Sequence, residues 1–137
     1  MDPQRSQELA RQFTEALHAV DRHEPDAIAR IAALFSDAAT LTNASLKLAH
    51  EERSGAEGVQ AFWQAYQEVF TEASTEFAEI TSSERAAGLF WTTRGKDATG
   101  APFSYDGATL LVFGDDEKIA QFRGYYDTRE LSRRVNG

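Results

Sequence analysis

Between residues 74 and 126 the chain carries four segments rich in β-branched and aromatic residues: "STEFAEITSS", "AAGLFWTTRG", "PFSYDGATLLVF" and "KIAQFRGYY". The separators "SER", "KDATGA" and "GDDE" are hairpin-turn chemistry. Sequential hairpins make an antiparallel sheet, and one face of that sheet has to be covered by what precedes it. The upstream half supplies helices. Leu9, Phe13, Leu17 and Val20 form one helical stripe over residues 5–21. "HEPD" interrupts it, and Pro25 suits the first turn of a second helix bearing Ile28, Ile31, Leu34 and Phe35. "SDAATLTNAS" reads as a short strand, with Leu41 and Asn43 on one side and Thr40 and Thr42 on the other. After a polar loop, "KLAHEER", the stretch "SGAEGVQAFWQAYQEVF" places Val59, Phe62, Trp63, Tyr66, Val69 and Phe70 at helical spacing. Ser54 and Glu57 match a capping box at its start.

The expected order is therefore α-α-β-α-β-β-β-β, an α+β fold in one domain spanning 1–137. A chain of 137 residues buries roughly two thirds of its unfolded surface, so the core needs no staple. A curved sheet around a long amphipathic helix leaves a cone whose open end holds a ligand, with Trp63, Tyr66, Phe122 and Tyr126 meeting there. The competing reading is that these aromatics only fill the core.

Composition narrows the function classes. No cysteine is present, which excludes disulfides, thiolate metal sites and thiol nucleophiles and permits a reducing cytoplasm. The start, "MDPQRSQELARQF", has no apolar leader core, so the expected location is cytoplasmic and "NAS" at 43–45 carries no weight as a glycosylation acceptor. No apolar run approaches the ~18 residues of a membrane span. A net charge of -8 repels phosphate backbones, so neither nucleic acid nor membrane is an expected partner.

The element order, with "ALFSDAATLT", "RSGAEGVQAFW" and "EKIAQFRGYYD", resembles the SnoaL-like branch of the NTF2-like superfamily over roughly residues 6–135. The resemblance implies a cone-shaped, cystatin-like sheet wrapped around three helices and a homodimer formed through that sheet. It also implies a family divided between cofactor-free isomerases, cyclases and dehydratases and non-catalytic binders, so the fold alone does not give the activity. At positions matching the ketosteroid-isomerase acids and donors this chain has Phe13, Asn43 and Thr109. Phe13 has no hydroxyl, and Asn43 cannot take a proton near neutral pH. The last-strand acid of the epoxide-hydrolase relatives falls on Gly124, and Arg94 and Asp97 do not form their Arg-x-Asp pair.

Three residues are the catalytic candidates: Asp127, Asp106 and Asn43. If Phe122 and Tyr126 face the pocket, strand alternation turns Asp127 away from it. Asp127 also suits an N-cap, with Glu130 completing a capping box, so a structural role competes with a catalytic one. Asp106 enters the pocket only if Gly107 marks a bulge. The ligand-binding candidates are Phe13, Leu41, Trp63, Tyr66, Thr109, Phe122 and Tyr126. Their character suits a small apolar molecule with one or two oxygens. "HEER" at 50–53 is expected at the cone's mouth, against the alternative of a solvated loop. His18 and His23 lie five apart with no third ligand spaced to join them, so no metal site is expected, and no cofactor motif occurs. Two functions follow. One is a pocket protein that binds its ligand or performs acid/base chemistry on it. The other is a non-catalytic dimeric scaffold or sensor. A cavity with a buried carboxylate favours an enzyme, and a cavity without one favours a binder.

Overall fold

The computed structural model describes residues 1–129. Helix α1 spans Pro3–Asp21; the Asp2 side chain caps it by accepting from the Arg5 amide at 2.8 Å. Helix α2 is shorter than the apolar spacing suggests, Ala27–Ala32, and Asp26 enters it with φ at 62°. Pro25 therefore lies in the turn before α2, and Phe35 opens strand β1, Phe35–Asn43. A short helix α3, Ala44–Leu48, replaces the first part of the expected polar loop, because the Asn43 side chain caps it from the Leu46 amide at 2.8 Å. Strand β2, Arg53–Ser54, leads into α4, Gly55–Val69. Ser54 is the N-cap residue, yet its side chain makes no capping bond. Gly55 takes the turn with φ at 73°, where a side chain would be strained.

Four long strands follow: β3 Phe70–Ser82, β4 Ala86–Asp97, β5 Pro102–Phe113 and β6 Ile119–Tyr126. The sheet order is β2-β1-β6-β5-β4-β3. The three late hairpins are antiparallel, whereas β1 runs parallel to β6. The last strand thus sits inside the sheet, beside the first long one. Irregular registers between Phe70 and Glu72, and again between Phe77 and Glu79, bend β3. Such bulges increase local twist and curl a sheet without closing it.

Helices α1 and α4 fill the concave face. Phe13, Trp63, Leu41, Leu89, Leu111 and Val59 are essentially inaccessible there. Each buried side chain of this size is worth about 1.5–3 kcal/mol relative to exposure. The C-terminal end of α1 is also pinned by polar contacts. The His18 ring bonds the Thr75 carbonyl at 3.0 Å, His23 the Phe70 carbonyl at 3.1 Å, and Gln67 donates to the Val20 carbonyl at 3.1 Å. Both histidines thus anchor α1 to β3 or its first residue, and no metal-binding cluster occurs among the described residues. No helix of the described residues is long and apolar enough to cross a membrane.

Candidate functional site

Register across the sheet places the concave-face side chains in rows. Arg53, Leu41, Phe122 and Leu111 form one, and Asn43, Gly124 and Thr109 the next. Tyr126, Gly107 and Trp91 form a third, and Tyr105 and Thr93 sit beyond it. Gly124 leaves space where other rows carry bulk. A cavity of about 270 Å³ lies between these rows and the helices, at the small end of ligand pockets. Phe13, Trp63, Phe70, Trp91, Tyr105 and Phe122 make most of its wall. The rings meet edge-on: Trp63 and Phe122 have centroids 5.5 Å apart at 81°, and Trp91 and Tyr105 5.2 Å apart at 83°. Such geometry fixes the wall rather than letting it collapse.

The polar groups are few and mostly engaged. Thr109 accepts from the Trp91 indole at 2.9 Å, and the Thr75 and Thr93 hydroxyls bond each other at 2.9 Å. At the mouth, the Tyr126 and Ser45 hydroxyls lie 2.8 Å apart and tie α3 to β6. At the closed end the Tyr66 hydroxyl donates to Asp21 Oδ1 at 2.5 Å. Asp21 is 5% exposed, and its Oδ2 has no hydrogen-bond partner within bonding geometry among the described residues. Desolvation raises its carboxyl above the usual range, and the Tyr66 hydroxyl, Thr75 and the neighbouring His18 pull back only in part. Tyr66 itself is pushed far up, first by burial and then by the Asp21 charge. Burial likewise raises Tyr105, with Tyr126 adding to the shift.

Of the ligand-binding candidates, Phe13, Trp63, Tyr66, Thr109, Phe122 and Tyr126 line the cavity. Leu41 does not, being wholly buried in the core. Asn43 lines the cavity, but its side-chain oxygen is used as the cap of α3. Asp106 is corrected outright: β5 alternates without a bulge at Gly107, so Asp106 is exposed on the outer face and accepts from the Thr92 hydroxyl at 2.6 Å. Asp127 also lies off the cavity, in a surface groove with His50, Glu51 and Glu52. It accepts from the Arg129 amide at 2.9 Å and pairs with that residue's guanidinium at 3.2 Å. Its expected capping partner, Glu130, lies outside the described residues.

Asp21, Arg53, Thr75, Thr93 and Tyr105 were not among the candidates. Asp21 had a legible signal, since Phe13, Leu17 and Asp21 are spaced four apart and an acid therefore ends the apolar stripe. Arg53 had none beyond its place in "HEER", because its direction is set by pairing with Leu41.

An open, curved six-stranded sheet cradling helices and an aromatic cavity defines the NTF2-like class of α+β cones. Residues 10–122 match the model of the SnoaL-like domain, and the chain belongs to that family. Solved structures agree on the fold. An NTF2-like protein of unknown function from Burkholderia pseudomallei has a TM-score of 0.83 at 17% identity, covering 97% of this chain and 98% of that one. A protein from Jannaschia sp. CCS1, provisionally assigned as a SnoaL-like polyketide cyclase, has a TM-score of 0.82 at 14% identity over 98% and 94%. A further NTF2-like protein of unknown function, from Exiguobacterium sp. 255-15, has a TM-score of 0.72 at 21% identity over 87% and 98%. A search of the curated proteins gave no match.

Proposed function

We propose that the cavity takes a small, mainly apolar molecule bearing one or two oxygens, and that Tyr66, backed by Asp21, moves a proton on it. The observation that carries this reading is the buried carboxylate with one unpartnered oxygen, bonded to a hydroxyl in the cavity wall. Tyr66 touches the ligand; Asp21 acts through it. When a ligand O–H or activated C–H gives its proton to the Tyr66 oxygen, Tyr66 passes its own proton to Asp21 Oδ1. Burial makes Asp21 a competent acceptor, because the neutral acid is the form its surroundings favour. The reverse transfer returns a proton to a different atom, which is the whole net change in an isomerisation. In a cyclisation the carbanion left by the first transfer bonds a carbonyl carbon, and the returned proton goes to that carbonyl's oxygen. In a dehydration the returned proton goes to a hydroxyl that departs as water while its C–O pair leaves with it. The SnoaL-like family and the cyclase assignment of the Jannaschia protein agree with this class of chemistry.

Among the described residues no carboxylate lines the cavity itself, Asp21 being reached through Tyr66, and that favours a second reading, a binder or sensor without turnover. A thermal-shift screen against aromatic polyketides, sterols and short-chain acids separates the possibilities. A stabilising compound is then incubated with the protein and with its Tyr66→Phe and Asp21→Asn variants. Conversion by the wild type and its loss in Tyr66→Phe support the relay. Stabilisation without conversion leaves the binder, and no stabilisation by any class removes the pocket.

The expected partner is a second copy of the chain, docked through the outer sheet face in a reducing cytoplasm. Phe90 and Tyr125 are exposed there at 44% and 47%. Register puts Ala108 between them, with Leu110 in the next row, so the exposed rings are not scattered singly.

A further inference from the structure

Among the described residues that line the cavity, one carries a charge, Arg53. Three observations aim it inward. Arg53 pairs across strands with Leu41, which is wholly buried on the concave face, and directly paired residues project to the same side. Its stem is held against α4, where a Cβ on Gly58 would stand 3.4 Å from the Arg53 Cβ. Among the described residues its guanidinium pairs with Glu51, at 3.5 Å, with the two side chains 38% and 53% exposed. So long and so exposed a contact is worth little and leaves donors of the guanidinium fork unused.

We infer that the ligand is a carboxylate: an apolar ring system seated against Trp63 and Phe122, with its single anionic group at the mouth on Arg53. The inference rests on the pocket reading above and sharpens its ligand class. Charge sets the orientation. Burial at the closed end disfavours any charge, as it does that of Asp21, so the carboxylate stays at the mouth on Arg53 and the uncharged end reaches Tyr66. Charge also limits the ligand to one negative unit. Glu51 and Glu52 immediately precede Arg53 in sequence, and one guanidinium does not offset a phosphate dianion beside them. The protein's net charge of -8 does not override the local contact, because charges beyond about 8–10 Å are screened at ordinary ionic strength.

The test uses three matched probes, 2-naphthoate, 2-naphthamide and 2-naphthyl phosphate, titrated by calorimetry into the full chain. The wild type is expected to bind the naphthoate roughly five- to tenfold tighter than the amide, as one partly exposed charge-assisted contact allows. Arg53→Gln should erase that preference while leaving the amide unchanged, and Arg53→Lys should keep part of it. Glu51→Gln, which removes the competing anion, should tighten the naphthoate only. Several outcomes overturn the inference: equal binding of acid and amide by the wild type, equal weakening of both in Arg53→Gln, or preference for the phosphate. In each of these the pocket reading stands. Binding of none of the three probes removes both.

Discussion

Asp21 decides what this molecule does with pH. Its carboxyl is raised in the folded state by desolvation, so the folded chain holds that proton more tightly than the unfolded chain. Stability is therefore lost as pH rises from the ordinary carboxylate range through the raised value, and no penalty remains below it. Asp21→Asn keeps an acceptor for Tyr66 and removes the buried charge. It should melt higher than wild type at pH 8, with the gap closing below about pH 4; a gap constant across pH would contradict the desolvation argument. Tyr66→Phe has the opposite sign, because it strips the carboxylate of its hydrogen bond to Tyr66. It should cost about 1–3 kcal/mol at neutral pH, measured by urea denaturation. Gly107 makes a steric prediction. A Cβ there would stand 2.4 Å from the Trp91 ring and 2.6 Å from the Tyr125 carbonyl, so Gly107→Ala should cost about 1–3 kcal/mol and shift the Trp91 fluorescence. Residue type alone did not reveal Asp21 as the buried acid. Asp127 stands out in the sequence as the acid that ends the last strand and Asp106 as the acid beside Gly107, while the acid that is buried closes the stripe of α1.

At the scale of elements, what was legible was what is local. The three hairpins were readable because alternation and turn chemistry act between neighbours in sequence. The amphipathic stripes of α1 and α4 were readable for the same reason. The parallel pairing of β1 with β6 was not, since it joins residues such as Leu41 and Phe122 across most of the chain. Helix α3 was hidden because one side chain, Asn43, nucleates it. Turn chemistry also yields a prediction. Asp97, between β4 and β5, accepts from the Thr99 hydroxyl at 2.5 Å, the Thr99 amide at 2.8 Å and the Ala101 amide at 3.1 Å. The Thr99 hydroxyl leads in holding its carboxyl below the usual range. Stability from this turn should be present above the unfolded carboxylate value and fade as pH falls through the lowered one. Hydrogen exchange should show the Thr99 and Ala101 amides opening faster in Asp97→Ala than in wild type at neutral pH, and the difference shrinking in acid.

For the whole molecule, the two faces of one sheet carry different expectations. The concave face and its helices were foreseeable from burial alone. Pairing of copies through the outer face is an expectation of the family resemblance alone, because an exposed patch names no partner in a single sequence. If the outer face pairs with itself, Phe90→Glu should convert the protein from dimer to monomer by light scattering, with its circular dichroism unchanged. A monomeric wild type would remove the pairing proposal and leave the cavity untouched.

The interior position of β6 has a consequence for synthesis. Phe122, Gly124 and Tyr126 line the cavity, and they belong to the last of the described strands to be synthesised. Until then β1 has no neighbour on its β6 side, and the nascent chain exposes the apolar edge of an unfinished cup. Closure must join segments far apart in sequence, which is the slow kind of folding step. A chain stopped before Ile119 would lose the strand that joins β1 to β5, and Trp63 would lose the Phe122 ring that packs edge-on against it.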